Sequence, residues 1–332
     1  MKKIILCLFL LLGVNSLFAQ WSLVGGPKTQ AVSISLIKFN GDTIYAGSYD
    51  GVYRSTDNGQ NWEVISEGLT YTYGMYVINC LECFGNNVLV GMDDGLYILY
   101  PDSTTWHRLG TNLTNKIVTS IKFVDQTIII STLFDGIFLS SDGGINWTES
   151  NSGLSSLVVH ELVNDNSTLY SLGDSHIYCS IDTAKNWISL DSDSLSNGYI
   201  SAIAVKDSIL FIGTSWGELF RTTDNGENWD HLTSVSTGDL IESLAINGST
   251  MFFNTFDKIY RSTNNGASWS AIMYGLPNKQ IYSSIEVQGT NVYIGIFDDG
   301  IYFSSNNGTN WSLFGKVLTY NELLSLTVSG SN

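Results

Sequence analysis

Seven tryptophans recur along this chain at a nearly constant interval: Trp62, Trp106, Trp147, Trp187, Trp229, Trp269 and Trp311, separated by 44, 41, 40, 42, 40 and 42 residues. A period near forty demands an array of one small unit, because a unit of that size cannot bury its apolar face except against its neighbours. The first unit runs from Ser33 to Phe39 in alternating pattern, then Thr43 to Ser48, an Asp-Gly turn, Val52 to Thr56, a polar glycine-containing turn, and Trp62 to Ile65. β-branched and aromatic residues at period two, with turn residues between them, specify strands, and helical periodicity is absent. The expected fold is all-β: a seven-bladed propeller of four-stranded antiparallel blades. Trp21 to Val24 reads as an extra fourth strand and Leu323 to Val328 as an extra first strand, so the chain stops inside a repeat. An incomplete eight-bladed ring is the alternative.

An octet precedes each tryptophan, clearest in Ser55-Thr56-Asp57-Asn58-Gly59-Gln60-Asn61-Trp62, with close copies from Ser140 to Trp147 and Thr222 to Trp229. The third position holds Asp57, Asp142, Asp182, Asp224, Asn264 and Asn306; Ala184 replaces one glycine, and Pro101 to Trp106 is shortened. Such side chains bond nearby backbone amides while glycine takes the positive φ of a tight turn, so these residues are structural. The tryptophan is expected to pack against the next sheet. With this octet the chain resembles the BNR or Asp-box propeller superfamily, which includes photosystem II assembly factor-like, sortilin-like, sialidase and xyloglucanase propellers. The resemblance spans residue 21 to about 328 and implies Asp-box hairpins joining third and fourth strands on one face.

Residues 1 to 19 have the layout of a secretory signal: Met1-Lys2-Lys3, an apolar run from Ile4 to Val14, then Asn15-Ser16 and Ala19 before Gln20. The expected organisation is a signal peptide at 1–19 and one propeller domain at 20–332, exported to the periplasm or outside the cell. No segment has the roughly 20 apolar residues of a transmembrane helix. Cleavage would remove Lys2 and Lys3 and take the formal charge from −16 to −18. That charge repels phosphate backbones and argues against nucleic-acid binding. Cys80, Cys83 and Cys179 are an odd number for an exported chain, which implies no disulfide framework but leaves one pair open.

In an up-and-down blade the turns between second and third strands share a face with the blade-to-blade loops, opposite the Asp-boxes. That top face is the candidate binding surface. Its turns read Tyr49-Asp50-Gly51, Met92-Asp93-Asp94-Gly95, Phe134-Asp135-Gly136, Asp174-Ser175-His176, Trp216-Gly217-Glu218, Phe256-Asp257 and Phe297-Asp298-Asp299-Gly300. Aromatics beside carboxylates can stack sugars or attract cationic peptides, although Asp-Gly is also simply a favoured hairpin turn. Ligand-binding candidates are Tyr71, Tyr73, Tyr76, Asp93, Trp216, Glu218, Phe256 and Asp298. Tyr199, Tyr274, Tyr282 and Tyr320 are further tyrosines on blade-to-blade segments.

The expected function is a noncatalytic scaffold that binds a protein or glycan through these loops. A glycoside hydrolase of the xyloglucanase type is the alternative, with Asp93, Asp94, Asp298 and Asp299 as the source of its two carboxylates. Sialidase chemistry is disfavoured, since there are four arginines, no Arg-Ile-Pro motif, and three of the arginines (Arg54, Arg221, Arg261) occupy one repeat position before the octet. No cofactor motif is present. His107, His160, His176 and His231 lack metal-ligand spacing, Cys80-x-x-Cys83 lies in an inner strand, and no calcium loop occurs, so no metal is expected.

Overall fold

The computed structural model describes residues 30–31, 34–72, 74–101, 103–174, 176–191, 195, 199–232, 238–281, 285–297, 299–315 and 319–320. The expected signal segment, the strands read at 21–24 and 323–328, and Tyr73, Tyr282 and Asp298 lie outside them. Seven four-stranded antiparallel sheets follow in chain order, each with its strands paired in sequence order. They span 34–64, 78–109, 118–149, 161–189, 200–231, 243–271 and 286–313, and are numbered here as blades 1 to 7. Their inner strands are Ile34–Asn40, Ile78–Phe84, Val118–Val124, Glu161–Asp165, Ile200–Lys206, Ser243–Asn247 and Glu286–Gln288.

Both faces of each sheet are covered by neighbouring blades, so the second strands are buried almost end to end: Thr127–Thr132 and Ile209–Thr214 are buried over five of their six residues. The apolar core is divided among the blade boundaries. Blades 1 and 2 enclose a cluster around Val52, Leu81 and Val90, and blades 2 and 3 one around Leu89, Ile121 and Phe138. Corresponding clusters fill the boundaries 3–4, 4–5, 5–6 and 6–7. Blade 7 packs on blade 1 through Tyr293 and Ile301 against Ile34, Ile37 and Tyr53, with Trp62 and Phe314 at the edge.

The ring therefore closes at seven. The eight-bladed alternative is corrected by that last cluster, because blade 1 occupies the face on which an eighth blade would pack. Backbone pairing of Gln30–Ala31 with Thr319–Tyr320, in register Gln30↔Tyr320, adds a short antiparallel ladder formed from the two ends of the ring.

The Asp-box turns join third and fourth strands. In blade 1, Ser55 Oγ accepts from Gly59 N at 2.9 Å, and Asp57 accepts from Asn61 N at 2.8 Å and Asn61 Nδ2 at 2.6 Å. Asp142, Asp182 and Asp224 bind Asn146, Asn186 and Asn228 in the same manner. Asn264 Oδ1 and Asn306 Oδ1 accept from Ser268 N and Asn310 N at 2.9 and 3.0 Å. Ala184, where other boxes have glycine, keeps the left-handed backbone with φ 60°.

The tryptophans pack on the preceding blade, which corrects the expected direction. Trp187 Nε1 donates to Ser150 O of blade 3 at 2.9 Å, Trp311 Nε1 to Ile272 O at 2.7 Å, and Trp106 Nε1 to Ile65 O. The indole sits beyond its own third strand, so the near surface it meets is the outer edge of the blade before it. Cys80, Cys83 and Cys179 are free thiols. Cys83 is only half-buried, near the end of the inner strand, where it packs against the edge of the cluster between blades 1 and 2.

Candidate functional site

The top-face turns begin where the second strand runs out of sheet partners. Five of the seven place an aromatic there: Tyr49, Phe134, Trp216, Phe256 and Phe297 are between 38 and 64 % exposed. A large apolar side chain at the tip of a turn gains nothing from the blade core, and its repetition around one face is not required by the turn. In blade 2 the corresponding position holds Asp93, and Asn79 Nδ2 donates to its Oδ1 at 2.9 Å.

The carboxylates beside these aromatics are largely engaged by cations that sequence reasoning did not single out. Lys116 Nζ lies 2.6 Å from Asp135, and Lys279 Nζ lies 2.8 Å from Asp299. Arg108 pairs with Asp94 and lies over the Tyr97 ring at 4.8 Å. Tyr97 and Tyr302, each three residues after its aspartate, donate to Asp94 and Asp299 at 2.9 and 2.8 Å. Burial alone would raise both acids, but the bonds from Thr70, Tyr97 and Arg108, and from Lys279 and Tyr302, overcome it and hold both below the usual carboxylate range. The repeated Asp-Asp-Gly-x-Tyr string of blades 2 and 7 was the signal available for this arrangement. Glu218 Oε1 lies 3.7 Å from His231 Nε2.

Tyr71 and Tyr76 are brought together with ring centroids 4.9 Å apart, Tyr71 exposed and Tyr76 half-buried. The segment is tied to blade 1 by Tyr76 N donating to Tyr49 O at 2.8 Å. Tyr199 and Tyr274, on blade-to-blade segments, are 73 and 78 % exposed.

Sequence reasoning missed the centre of the ring. Lys38, Glu82, Lys122 and Glu286 stand at one register position of four inner strands, where blades 4, 5 and 6 place Val163, Ala204 and Ala245. Glu161 stands two residues earlier on the inner strand of blade 4, hence on the same strand face and nearer the top. Lys38 lies 3.2 Å from Glu286 and 3.6 Å from Glu82, and Lys122 lies 2.7 Å from Glu82.

The acids grade with the number of ammoniums they meet. Burial opposes ionisation of Glu82, but Lys122 and Lys38 together hold it below its ordinary value. Glu286 has Lys38 alone, and burial pushes it up. The Glu161 side chain makes no ion pair or hydrogen bond among the described residues, and burial pushes it up to about 7. Burial also opposes the charge on Lys38, yet Glu286 and Glu82 outweigh it and raise this amine. Repeat alignment carries the signal: a charged residue in a column that is otherwise small or apolar.

Among the described residues no group of acids, histidines and cysteines is placed to hold a metal ion, and no helix is long and apolar enough to cross a membrane. The BNR/Asp-box repeat family model matches residues 53–64. No curated protein matches the chain. Among solved structures, the extracellular domain of the putative one component system BT4673 from B. thetaiotaomicron is similar at 17 % identity and TM-score 0.68, over 84 % of this chain and 40 % of that one. An ancestral GH74 enzyme is similar at 17 % identity and TM-score 0.68, over 86 and 46 %. YCF48 bound to D1 peptide is similar at 15 % identity and TM-score 0.67, over 83 and 93 %. The chain thus spans less than half the length of the first two. At such identities the likeness concerns the fold. The box at 53–64, its repeated hydrogen bonds and the seven-bladed ring together make this chain a BNR/Asp-box-repeat β-propeller.

Proposed function

We propose that the chain is exported and acts as a noncatalytic platform that binds a protein or a glycan through its top face. The observation that carries this reading is the recurrence of an exposed aromatic in the turn between second and third strands of five blades. Aromatic faces supply contact area at low entropic cost and suit both sugar rings and apolar peptide side chains. The peptide in the YCF48 structure and the extracellular placement of the BT4673 domain are features of those proteins that accord with such a role.

The xyloglucanase-type alternative requires one carboxylic acid kept protonated near neutral pH to serve the leaving group. Asp94 and Asp299 are shifted the opposite way and are held by Arg108 and Lys279. That difference favours the platform.

The test applies the purified chain to an array of polysaccharides, glycans and peptides, scoring retained protein and newly released reducing ends, alongside Trp216→Ala and Phe256→Ala. Retention without release, weakened by about 1–3 kcal/mol in either variant, is the expected result. Release of reducing ends overturns the noncatalytic reading, and undiminished retention by both variants moves the site off this face.

A further inference from the structure

The channel at the ring's centre is a polar cavity with one acid left over. Around blades 7, 1, 2 and 3 the side chains Glu286, Lys38, Glu82 and Lys122 alternate in sign and satisfy one another at 2.7 to 3.6 Å. Blade 4 then contributes Glu161, which continues the alternation but finds no ammonium within ion-pairing distance. Blades 5 and 6 contribute Ala204 and Ala245 at the register of the lysines, so no cation follows it. Glu161 is enclosed by protein yet keeps accessible surface, because it lines two cavities, of about 380 and 340 Å³, that share Glu82, Lys122 and Glu161 in their walls.

The walls differ in character. One side carries Lys38, Glu82 and Lys122, and the other Val163, Ile203, Ala204, Val205 and Leu244. Thr119, Ser120 and Ser201 border the same space with hydroxyls, and His160 adjoins the acid in sequence.

We propose that this channel binds an organic cation, a primary ammonium or guanidinium on a short aliphatic chain, with its N–H donors on the Glu161 carboxylate and its hydrocarbon against Val163, Ile203, Ala204 and Leu244. The unpaired acid sets the sign of the ligand, since a buried carboxylate without a partner is costly and a cation bringing its own donors removes that cost. A bare, strongly hydrated ion would leave the apolar wall unused. An anion would meet the excess of three carboxylates over two ammoniums. The site is separate from the top-face aromatics, so it does not depend on the platform reading.

Occupancy follows ionisation of Glu161. The charged groups facing that acid are Lys122 from blade 3, Lys38 from blade 1 and Glu82 from blade 2, with Glu286 of blade 7 behind Lys38, while blades 5 and 6 contribute none there. Despite burial, Glu286 and Glu82 hold Lys38 charged and Lys122 and Lys38 hold Glu82 ionised, whereas burial pushes Glu286 up as well, so the comparison with Glu161→Gln is what assigns the change in affinity to Glu161.

The test is calorimetric titration of the full chain with n-butylammonium and n-butylguanidinium at about pH 8.5 and about pH 5.5, with n-butanol as the uncharged control. Trp216→Ala and Glu161→Gln are titrated in parallel, after thermal melting has shown that each is folded. Binding with Kd on the order of 1 mM at the higher pH is expected, weakened about tenfold or more at the lower pH and in Glu161→Gln, unchanged in Trp216→Ala, and absent for butanol. No binding of either cation at pH 8.5, or equal binding by Glu161→Gln, overturns the proposal. Acetyl-Gly-Lys-Gly-amide and its norleucine counterpart separate the sources: tighter binding of the lysine peptide than of butylammonium marks the side chain of a docked protein as the ligand, and the reverse marks a free amine. If the top-face variants lose array retention while these titrations are flat, the channel proposal alone fails.

Discussion

The ammonium of Lys122 lies 2.7 Å from the carboxylate of Glu82 in the preceding blade, and it makes no ion pair with Glu161 in the following one. Two acids in one channel therefore experience opposite balances. Glu82 is paired with two lysines that offset its desolvation, whereas burial outweighs the more distant pull of Lys122 and Lys38 on Glu161. Glu82→Gln strands the Lys122 ammonium and leaves Lys38 to Glu286 alone, and is expected to cost about 2–4 kcal/mol. Glu161→Gln removes an uncompensated charge and is expected to stabilise the chain at pH 8. Urea denaturation of both variants checks the opposite signs; equal destabilisation would contradict the assignment.

The same acid predicts the form of the stability profile. Glu161 has an ordinary value of 4.5 and is raised to about 7 in the fold. Below pH 4.5 it is protonated in both states and its contribution is fully present. As pH rises the unfolded chain releases the proton first, and the contribution is lost through about pH 7. Each pH interval of one between the unfolded and folded values is worth about 1.4 kcal/mol, which makes the loss on the order of 3 kcal/mol. Denaturation midpoints measured from about pH 4.5 to 8.5 should fall more in the wild-type chain than in Glu161→Gln.

Asp142 in the blade 3 box moves the other way, since bonds from Asn146, with Ser140 and Ile145, lower it from 3.8 to about 2. Its contribution is present above pH 3.8 and is lost as pH falls through about 2. Asp142→Asn should melt close to wild type, because Asn264 and Asn306 make the same acceptor bonds in blades 6 and 7. Asp142→Ala should melt lower, and hydrogen exchange at the Asn146 amide should accelerate. Equal melting of the two variants would mean that the acceptor bonds do not hold the turn.

Ring closure has a local test at Gly295 in blade 7. A Cβ there would stand 2.2 Å from Ile34 O of blade 1. Gly295→Ala is expected to cost about 2–4 kcal/mol. Gly289 has φ 59° and open space for a Cβ, so Gly289→Ala incurs only backbone strain of about 1–2 kcal/mol. Comparable losses would argue against close packing of blades 7 and 1.

Architecture was legible because it is written seven times. The tryptophan period and the octet repeat the same local chemistry, so the replacement of glycine by Ala184 does not obscure the register. The number of blades was less legible, since flanking strand-like segments at both ends fit either count, and only the packing of Tyr293 and Ile301 on Ile34 and Tyr53 decides it. The channel was illegible for the opposite reason. Lys38, Glu82, Lys122, Glu161 and Glu286 each appear once in an otherwise ordinary strand, and they are 248 residues apart at the extreme, Lys38 to Glu286. Nothing in one strand says that its charge meets another across a ring. Likewise, the top-face aspartates looked available until Arg108, Lys116 and Lys279 were placed beside them.

Every apolar cluster in this ring is jointly owned by two blades, and the first is neighbour to the last. There is consequently no outermost unit whose loss would be mild: deleting any single repeat exposes two half-cores at once, wherever in the sequence the cut is made. Change in the number of such units is then an all-or-nothing event, whereas change within one turn is local and cheap. An inheritance of this kind leaves the scaffold fixed while the rim and the bore, the two surfaces no neighbouring blade owns, are open to new chemistry.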